Sequence, residues 1–398
     1  MDFQLSDEEQ AFQDAVRRFG DKVLRANEEK IDTEGHIPDE VLSAMADLGL
    51  LAMPVPAEYG GMGASAVLTE LAAEEIGRGD ASMATAVFFL LEAGWSTAFS
   101  LHGTEEAKKE VLPPVCAGKA FLGIASTEPT GGSDLAGMHT TARREGDSFV
   151  LHGEKSFISG VEEAKRLGGG HLTLAKDPTG GFNFLYVPTN TDGITTQRFH
   201  NMGRMGISTG GLTYQDARVP AKYLLGKQGK GFGLALGGFS VARTYVAAAC
   251  IGAAERALET GMKYIREREV FGEPLGKFEG IQFELADLYT ELEATKWQVR
   301  RSAWLHDKYT LKGDTSHRPE VDRVVSSVKL AAPQIAFECV KRVMMWHGAA
   351  GYTKDVGLER GFRGIMSYMV GAEGGLNIMR IILGRELLGK EFLPYRQS

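Results

Sequence analysis

What this sequence has little of narrows it first. Its 398 residues hold three cysteines, Cys116, Cys250 and Cys339, odd in number and far apart. That spacing gives neither a disulfide framework nor a zinc site, so buried apolar thiols are expected. The nine histidines show no H-E-x-x-H or other paired ligand spacing. His102 and His171 therefore read as structural or exposed side chains, and no metal is expected. Basic residues are scattered and the net charge is −8, with short pairs such as "ARRE" on solvated faces. Neither nucleic acid nor an anionic membrane is an expected partner. No run reaches the ~18 apolar residues of a membrane span. The acidic start "MDFQLSDEEQ" is unlike the basic head of a targeting peptide, so a soluble, cytoplasmic protein is expected. No Walker A or G-x-G-x-x-G motif follows a strand; "GKQGKGFG" at 226–233 lacks the Lys-Ser/Thr ending and reads as a turn before a helix.

What is present divides into three textures, giving expected domains at 1–121, 122–231 and 232–398. The first is helical. Ser6 and Glu9 make a capping box ahead of Phe12, Val16, Phe19 and Val23, one apolar helix face. A second helix starts after Pro38, carries Val41, Met45 and Leu48 inward and stops at Gly49. The run 81–101 is almost uncharged and looks buried on most sides, with Glu92 its one charge, expected to be a partly buried acid. From about 122 the runs "FVLH", "HLTLA" and "FNFLYVP" alternate with "EGD", "GGG" and "DPTGG", a signature of short antiparallel strands. The last texture is helical again. Ile281, Leu285, Leu288, Leu292 and Val299, then Val321, Val325, Val328, Ala332 and Ile335, keep the near-heptad spacing of an antiparallel bundle. Pro333 is expected to kink its helix, and 310–319 reads as a polar loop.

Two stretches carry candidate chemistry. "GAEGGLNIM" at 371–379 sets a single carboxylate, Glu373, among glycines and apolar residues. Such a carboxylate is costly unless paired or raised in pKa. It is either an acid favoured by a helix N-terminus or a catalytic base. "ASTEPTGGSD" at 125–134 gathers hydroxyls, glycines and a proline turn. That loop is either an ordinary Asx/Ser turn or a set of donors for a flavin ring or pyrophosphate. Farther on, "KSFISG" at 155–160 puts an aromatic, an aliphatic and a hydroxyl side chain at a strand end.

In order and spacing, "ASTEPTGGSD", "GDSFVLHGEKSFISG", "MGRMGISTGGLTYQDARVP", "REREVFGEPL", "HGAAGYTKD" and "AEGGLNIMRIILGRELLG" resemble the acyl-CoA dehydrogenase flavoprotein family over essentially the whole chain. The resemblance implies an α+β fold with an N-terminal helical domain, a central antiparallel β-barrel domain and a C-terminal four-helix bundle. It implies FAD as cofactor, an acyl-CoA substrate, an electron-transferring flavoprotein as partner, and a homotetramer or homodimer. Ser126 and Thr127 would contact the flavin ring. Ser133 would reach the FAD pyrophosphate or the substrate CoA. Phe157, Ile158 and Ser159 would pack on the ring. Arg268 and Phe271 would reach across a subunit boundary to a neighbour's FAD, and Met345, Gly348, Ala349, Gly375 and Asn377 complete the implied cofactor set. Glu373 matches the catalytic base, supported by Arg243, with Ala372 and Gly374 beside the substrate. Arg380 and Arg385 follow Glu373 by seven and twelve residues, in the family's register. Ala242, where some members carry the base, cannot serve.

The chain also departs from the family pattern. Phe157 replaces a usual tryptophan and Ser159 a threonine. Met345, Ala349 and Glu279 replace a glutamine, a glycine and a glutamine, so FAD is expected to be held less tightly. "RMGIST", Arg204 to Thr209, is rearranged where CoA contacts lie, and one extra residue falls within 364–372. Ala372 replaces a tyrosine beside the base. The space is either filled by Phe88, Phe89 or Trp95 or used by a branched, cyclic or aromatic acyl group, and the latter is expected. A flavin oxidase or monooxygenase on the same fold, or a non-catalytic acyl-CoA-binding protein, stand as alternatives.

Overall fold

The computed structural model describes residues 4–393. Its N-terminal part is helical: α1 (Asp7–Phe19), α2 (Arg25–Glu34), α3 (Asp39–Asp47), α4 (Ala66–Gly79), α5 (Ala84–His102) and α6 (Glu105–Cys116). The capping box closes at Ser6, whose hydroxyl accepts from the Glu9 N–H while the Glu9 carboxylate accepts from the Ser6 N–H. Val16 and Phe19 are buried, with Phe12 and Val23 packed against the same core. Helix α3 begins directly after Pro38 and buries Val41 and Met45. Leu48, expected inward, is exposed: it follows the last helical residue, and Gly49 at φ +70° turns the chain away.

The middle part is a sheet. Strands β1 (Phe121–Ala125), β2 (Thr141–Glu145) and β3 (Ser148–Ser159) are followed by α7 (Val161–Leu167), then β4 (Gly169–Lys176), β5 (Phe182–Pro188), β6 (Ile194–Arg198) and β7 (Thr209–Pro220). Neighbours run β1-β4-β2-β3-β7-β6, with β5 paired to β4. Most pairs are antiparallel, as the alternating runs predict, but β1 lies parallel to β4, with Phe121 opposite Gly169. Short turns signal hairpins only, and β2, β3 and α7 intervene between these two strands. A register shift in β3 between Lys155 and Ile158 throws Phe157 out of the ladder at φ +59°.

The last part is a bundle: α8 (Gly231–Glu267), a hairpin of β8 (Glu269–Val270) and β9 (Glu273–Pro274), α9 (Glu279–Lys308), α10 (Arg318–Trp346), α11 (Leu358–Val370) and α12 (Leu376–Leu388). Leu288, Leu292 and Val299 of α9 are buried, as are Val321, Val325, Val328, Ala332 and Ile335 of α10. The helix α10 runs through Pro333 without interruption. Helices α4 and α8 cross in near contact. A side chain at Gly77 would strike the Ala249 carbonyl, and one at Gly252 the Glu74 carbonyl. All three cysteines are buried and free. Against the expectation from the sequence, two helices among the described residues, α5 and α8, are long and apolar enough to cross a membrane. Both are largely enclosed by the protein, and their apolar surface is taken up in its core.

Candidate functional site

Residues 371–375 carry the chain from α11 into α12. Glu373 lies in this turn at φ +59°, followed by Gly374 at φ +99°. A left-handed glutamate is a strained conformation that the surroundings must hold. The holding contact is Arg243 of α8, whose Nε donates to the Glu373 carbonyl oxygen at 2.8 Å. The N-cap of α12 is Gly375, without a side-chain cap, so Glu373 is not a capping acid. Its side chain is enclosed, the residue being 8% exposed. Burial pushes the carboxyl up to about 7, against the pull of Arg243, Lys329, the Trp95 indole and Arg204.

Three cations, Lys329 and Arg204 buried and Arg243 half-buried, thus act on this carboxylate. Burial drives the Arg243 guanidinium down to about 10 and the Lys329 amine down to about 8. The Lys329 Nζ donates to the Tyr368 carbonyl at 2.6 Å. Arg204, at φ +56°, donates from Nη2 to the Thr209 hydroxyl at 3.2 Å. Thr209 faces Ser159 across the β3–β7 ladder, so Arg204 is held on the sheet while its charge acts on the base. Sequence reasoning missed Lys329 and gave Arg204 only a blurred role. The one available signal was a lysine on the buried stripe of "VVSSVKLAA". Ala242 is buried, and a side chain at Gly94 would meet it at 3.2 Å.

On the sheet, Ser126 is buried, Thr127 and Ser159 are half-buried, Ile158 is buried and Ser133 is exposed. Phe157 is 68% exposed, its ring 5.5 Å from that of Phe199. Beneath these residues lies an ion pair the sequence reading did not single out. The buried Lys155 Nζ donates to the Ser126 carbonyl and to Glu128 Oε1, both at 3.0 Å. Glu128 also accepts from the His139 N–H at 2.6 Å and the Thr140 N–H at 2.9 Å. Burial alone would raise Glu128, but the bonds from Thr140 and His139 and the Lys155 charge hold it down at about 2. Burial takes Lys155 down to about 8 in spite of Glu128. The Ser156 N–H donates to the Thr127 carbonyl at 2.9 Å, drawing the 125–134 loop along β3. An outward aromatic ring beside the hydroxyls of Ser126, Thr127 and Ser159 fits a flat heteroaromatic cofactor.

A third group stands where α8 and α10 end, with Tyr264 stacked on His347 at 3.9 Å. Phe271 is 97% and Met345 71% exposed. Arg268, Gly348, Ala349 and Glu279 are exposed as well. Gly375 and Ala372 are half-buried beside Glu373, and Asn377 is exposed, accepting from Arg380 Nη1 at 2.8 Å. Of the three aromatic side chains that could fill the space near Ala372, Phe88 packs on Phe121 at 5.4 Å and Phe89 is in the core, while Trp95 acts on the Glu373 carboxylate. Glu92 is fully buried, not partly. Its Oε1 accepts from the Leu122 N–H at 3.2 Å, joining α5 to β1, and burial pushes its pKa well up.

Three protein families match the chain: "Acyl-CoA dehydrogenase, N-terminal domain" over residues 6–119, "middle domain" over 123–217 and "C-terminal domain" over 229–388. A probable acyl-CoA dehydrogenase of Bacillus subtilis is 34% identical over 98% of this chain and 100% of its own. An acryloyl-CoA reductase (NADH) of Anaerotignum propionicum is 33% identical over 98% and 96%. Among solved structures, a glutaryl-CoA dehydrogenase of Mycobacterium smegmatis in complex with FADH2 superimposes with a TM-score of 0.88 at 27% identity, covering 98% of this chain and 97% of that one.

Proposed function

The chain belongs to the acyl-CoA dehydrogenase family of flavin-dependent oxidoreductases, and on that premise we propose that it desaturates an acyl-CoA thioester between Cα and Cβ with FAD as cofactor. The observation that carries this reading is Glu373, a carboxylate raised by burial to about 7. The α proton of a thioester is weakly acidic, so its removal needs a base stronger than a solvated carboxylate. Arg243 fixes the carbonyl side of Glu373, and the Glu373 N–H would donate to the thioester oxygen as negative charge develops there. The neighbouring glycines let substrate and backbone approach closely.

FAD, when bound, supplies the acceptor for the hydride that leaves Cβ. Ser126, Thr127, Phe157, Ile158 and Ser159 would hold its ring and Ser133 its pyrophosphate. Arg268, Phe271, Met345, Gly348, Ala349, Gly375 and Asn377 would complete the site with a second subunit. The near-complete exposure of Phe271 supports a homotetramer or homodimer that covers it. The family resemblance supports an electron-transferring flavoprotein as acceptor, a cytoplasmic setting and functional units at 1–121, 122–231 and 232–398.

The test is an anaerobic titration of the yellow protein with acyl-CoA thioesters. Bleaching of the flavin in unaltered protein and its loss in Glu373→Gln is the expected result. A colourless protein that still binds acyl-CoA would overturn the reading in favour of a binding protein. Rapid reoxidation of reduced flavin by air would favour an oxidase.

A further inference from the structure

The turn that carries Glu373 begins where α11 stops, and a side chain from another helix stands at that stop. Backbone bonds of α11 run as far as the Gly371 N–H, which donates to the Ser367 carbonyl at 3.0 Å. One more helical bond would put the N–H of residue 372 on the next carbonyl, that of Tyr368. The Lys329 Nζ of α10 donates there instead, at 2.6 Å. Helices leave their last carbonyls without partners, and a cation at that end also complements the helix dipole. Beyond Lys329's hold the chain leaves helical geometry, with Gly371 at φ −136° and Glu373 at φ +59°. It then folds back, so that a Cβ at Gly375 would lie 3.0 Å from the Val370 carbonyl oxygen. The Arg243 Nε of α8 closes the far side on the Glu373 carbonyl at 2.8 Å. Cations from two helices of the bundle thus grip the turn at 368 and at 373.

A second observation concerns charge. Lys329 is fully buried, and a neutral donor would cap the Tyr368 carbonyl without the cost of enclosing an ammonium. The groups that act on Lys329 are the Cys250 thiol, the Arg243 guanidinium and the Glu373 carboxylate. Burial pushes the thiol up to about 12, so it is neutral at pH 7. Among these groups Glu373 is the anion. That carboxylate is acted on in turn by Arg243 from α8, Arg204 from between β6 and β7, and Trp95 from α5. Tyr368 of α11 faces it as well, its phenol kept neutral by burial.

We infer that Lys329 is a positioning residue of the proposed desaturation: bound to the Tyr368 carbonyl, it ends α11 so that Glu373 enters the turn that Arg243 holds, and its charge favours the carboxylate that accepts the α proton. This rests on the desaturase reading above. Without Lys329 the Tyr368 carbonyl is free for the N–H of residue 372, and the turn loses one of its two holds. Displacing a catalytic group by about 1 Å can cost about 100-fold in rate. Removing a neighbouring cation disfavours an anion, so the base should ionise at higher pH.

The experiment compares unaltered protein, Lys329→Met and Lys329→Arg in two measurements. Amide hydrogen exchange of the flavin-loaded protein reads the turn without turnover, and exchange across 369–375 should quicken by about tenfold or more in Lys329→Met. Anaerobic flavin reduction across pH, by the faster of butyryl-CoA and octanoyl-CoA, reads the base. In unaltered protein the rate should rise through about pH 7, where Glu373 ionises. In Lys329→Met that rise should move up by about one pH unit, and the rate above it should fall by about tenfold or more, through kcat rather than KM. Lys329→Arg keeps a charge and an N–H donor and should bring the rise back toward its original pH. Should Lys329→Met not fold, Lys329→Gln takes its place. A profile unmoved in pH overturns the inference even where exchange quickens, since Lys329 would then be a helix cap alone. Unchanged exchange overturns it as well. Failure of every thioester of the titration above to bleach the flavin would overturn the desaturase reading instead, and exchange across 369–375 would still decide whether Lys329 holds the turn.

Discussion

Glu373 and Glu128 are both buried carboxylates, and Glu128 is the less exposed of the two, at 4% against 8%. Yet Glu373 is pushed up to about 7 and Glu128 held down at about 2. Burial opposes ionisation in both, so partners decide. Glu128 accepts two backbone N–H groups and pairs with Lys155. The described hydrogen bonds include one to Glu373's carbonyl oxygen, from Arg243. Its carboxylate feels Arg243, Lys329 and Arg204 as neighbouring charges. A carboxylate whose acceptor sites are filled is an anchor; one left among charges with fewer of its sites filled is a base.

The comparison is broken most sharply at Glu373 itself. Glu373→Gln should keep the flavin, since its side chain is not assigned to hold FAD, and slow its reduction by substrate by about 100-fold or more. Reduction at the original rate would turn attention to Glu92, a buried acid of the core whose Oε2 makes no hydrogen bond.

Breaking the anchor should cost stability before rate. Glu128→Gln leaves Lys155 buried without its counter-charge, and urea unfolding should register a loss of about 3–5 kcal/mol. Since Lys155 also holds the Ser126 carbonyl, flavin should dissociate faster. A variant as stable as the parent would mean that the N–H bonds alone keep this loop in place.

The two groups should also respond to pH with opposite sign. The folded pKa of Glu373 is raised from 4.5 to about 7, so its contribution is complete below about 4.5 and lost as pH rises through about 7. The folded pKa of Glu128 is depressed from 4.5 to about 2, so its contribution is present above about 4.5 and lost as pH falls toward about 2. Shifts of this size correspond to about 3 kcal/mol each. Glu373→Gln should accordingly gain stability over the parent between pH 5 and 8, measured by urea unfolding of protein stripped of flavin. A stability difference flat across that range would place the carboxylate in better solvation than its burial suggests.

The smallest effect belongs to an exposed position, where neither burial nor pairing acts. Met345→Gln adds one polar contact worth about 0.5–1.5 kcal/mol and should slow FAD loss on dilution by about two- to tenfold. Undetectable release from the unaltered protein would show that other contacts already suffice.

Much of this was legible along the chain. The capping box at Ser6, the buried α5 run, the heptad faces of α9 and α10 and the strand alternation are local periodicities, and each sets which face must be buried whatever it packs against. Glu373 stood out for the same local reason, as a charge without polar neighbours in sequence. The parallel pairing of β1 with β4 was not legible, because long-range pairing leaves no mark at short spacing. Nor was the division of labour between the two carboxylates. "STEPT" and "GAEGG" each present one glutamate, and nothing in either string says that Lys155 and two N–H groups will reach the first while Trp95, Arg204, Arg243 and Lys329 converge on the second. The residue types and the buried faces were determined by the sequence itself. Which charge became an anchor and which a base was decided only by tertiary structure, because a pKa depends on what surrounds a group in space and those surroundings come from segments far apart in the chain.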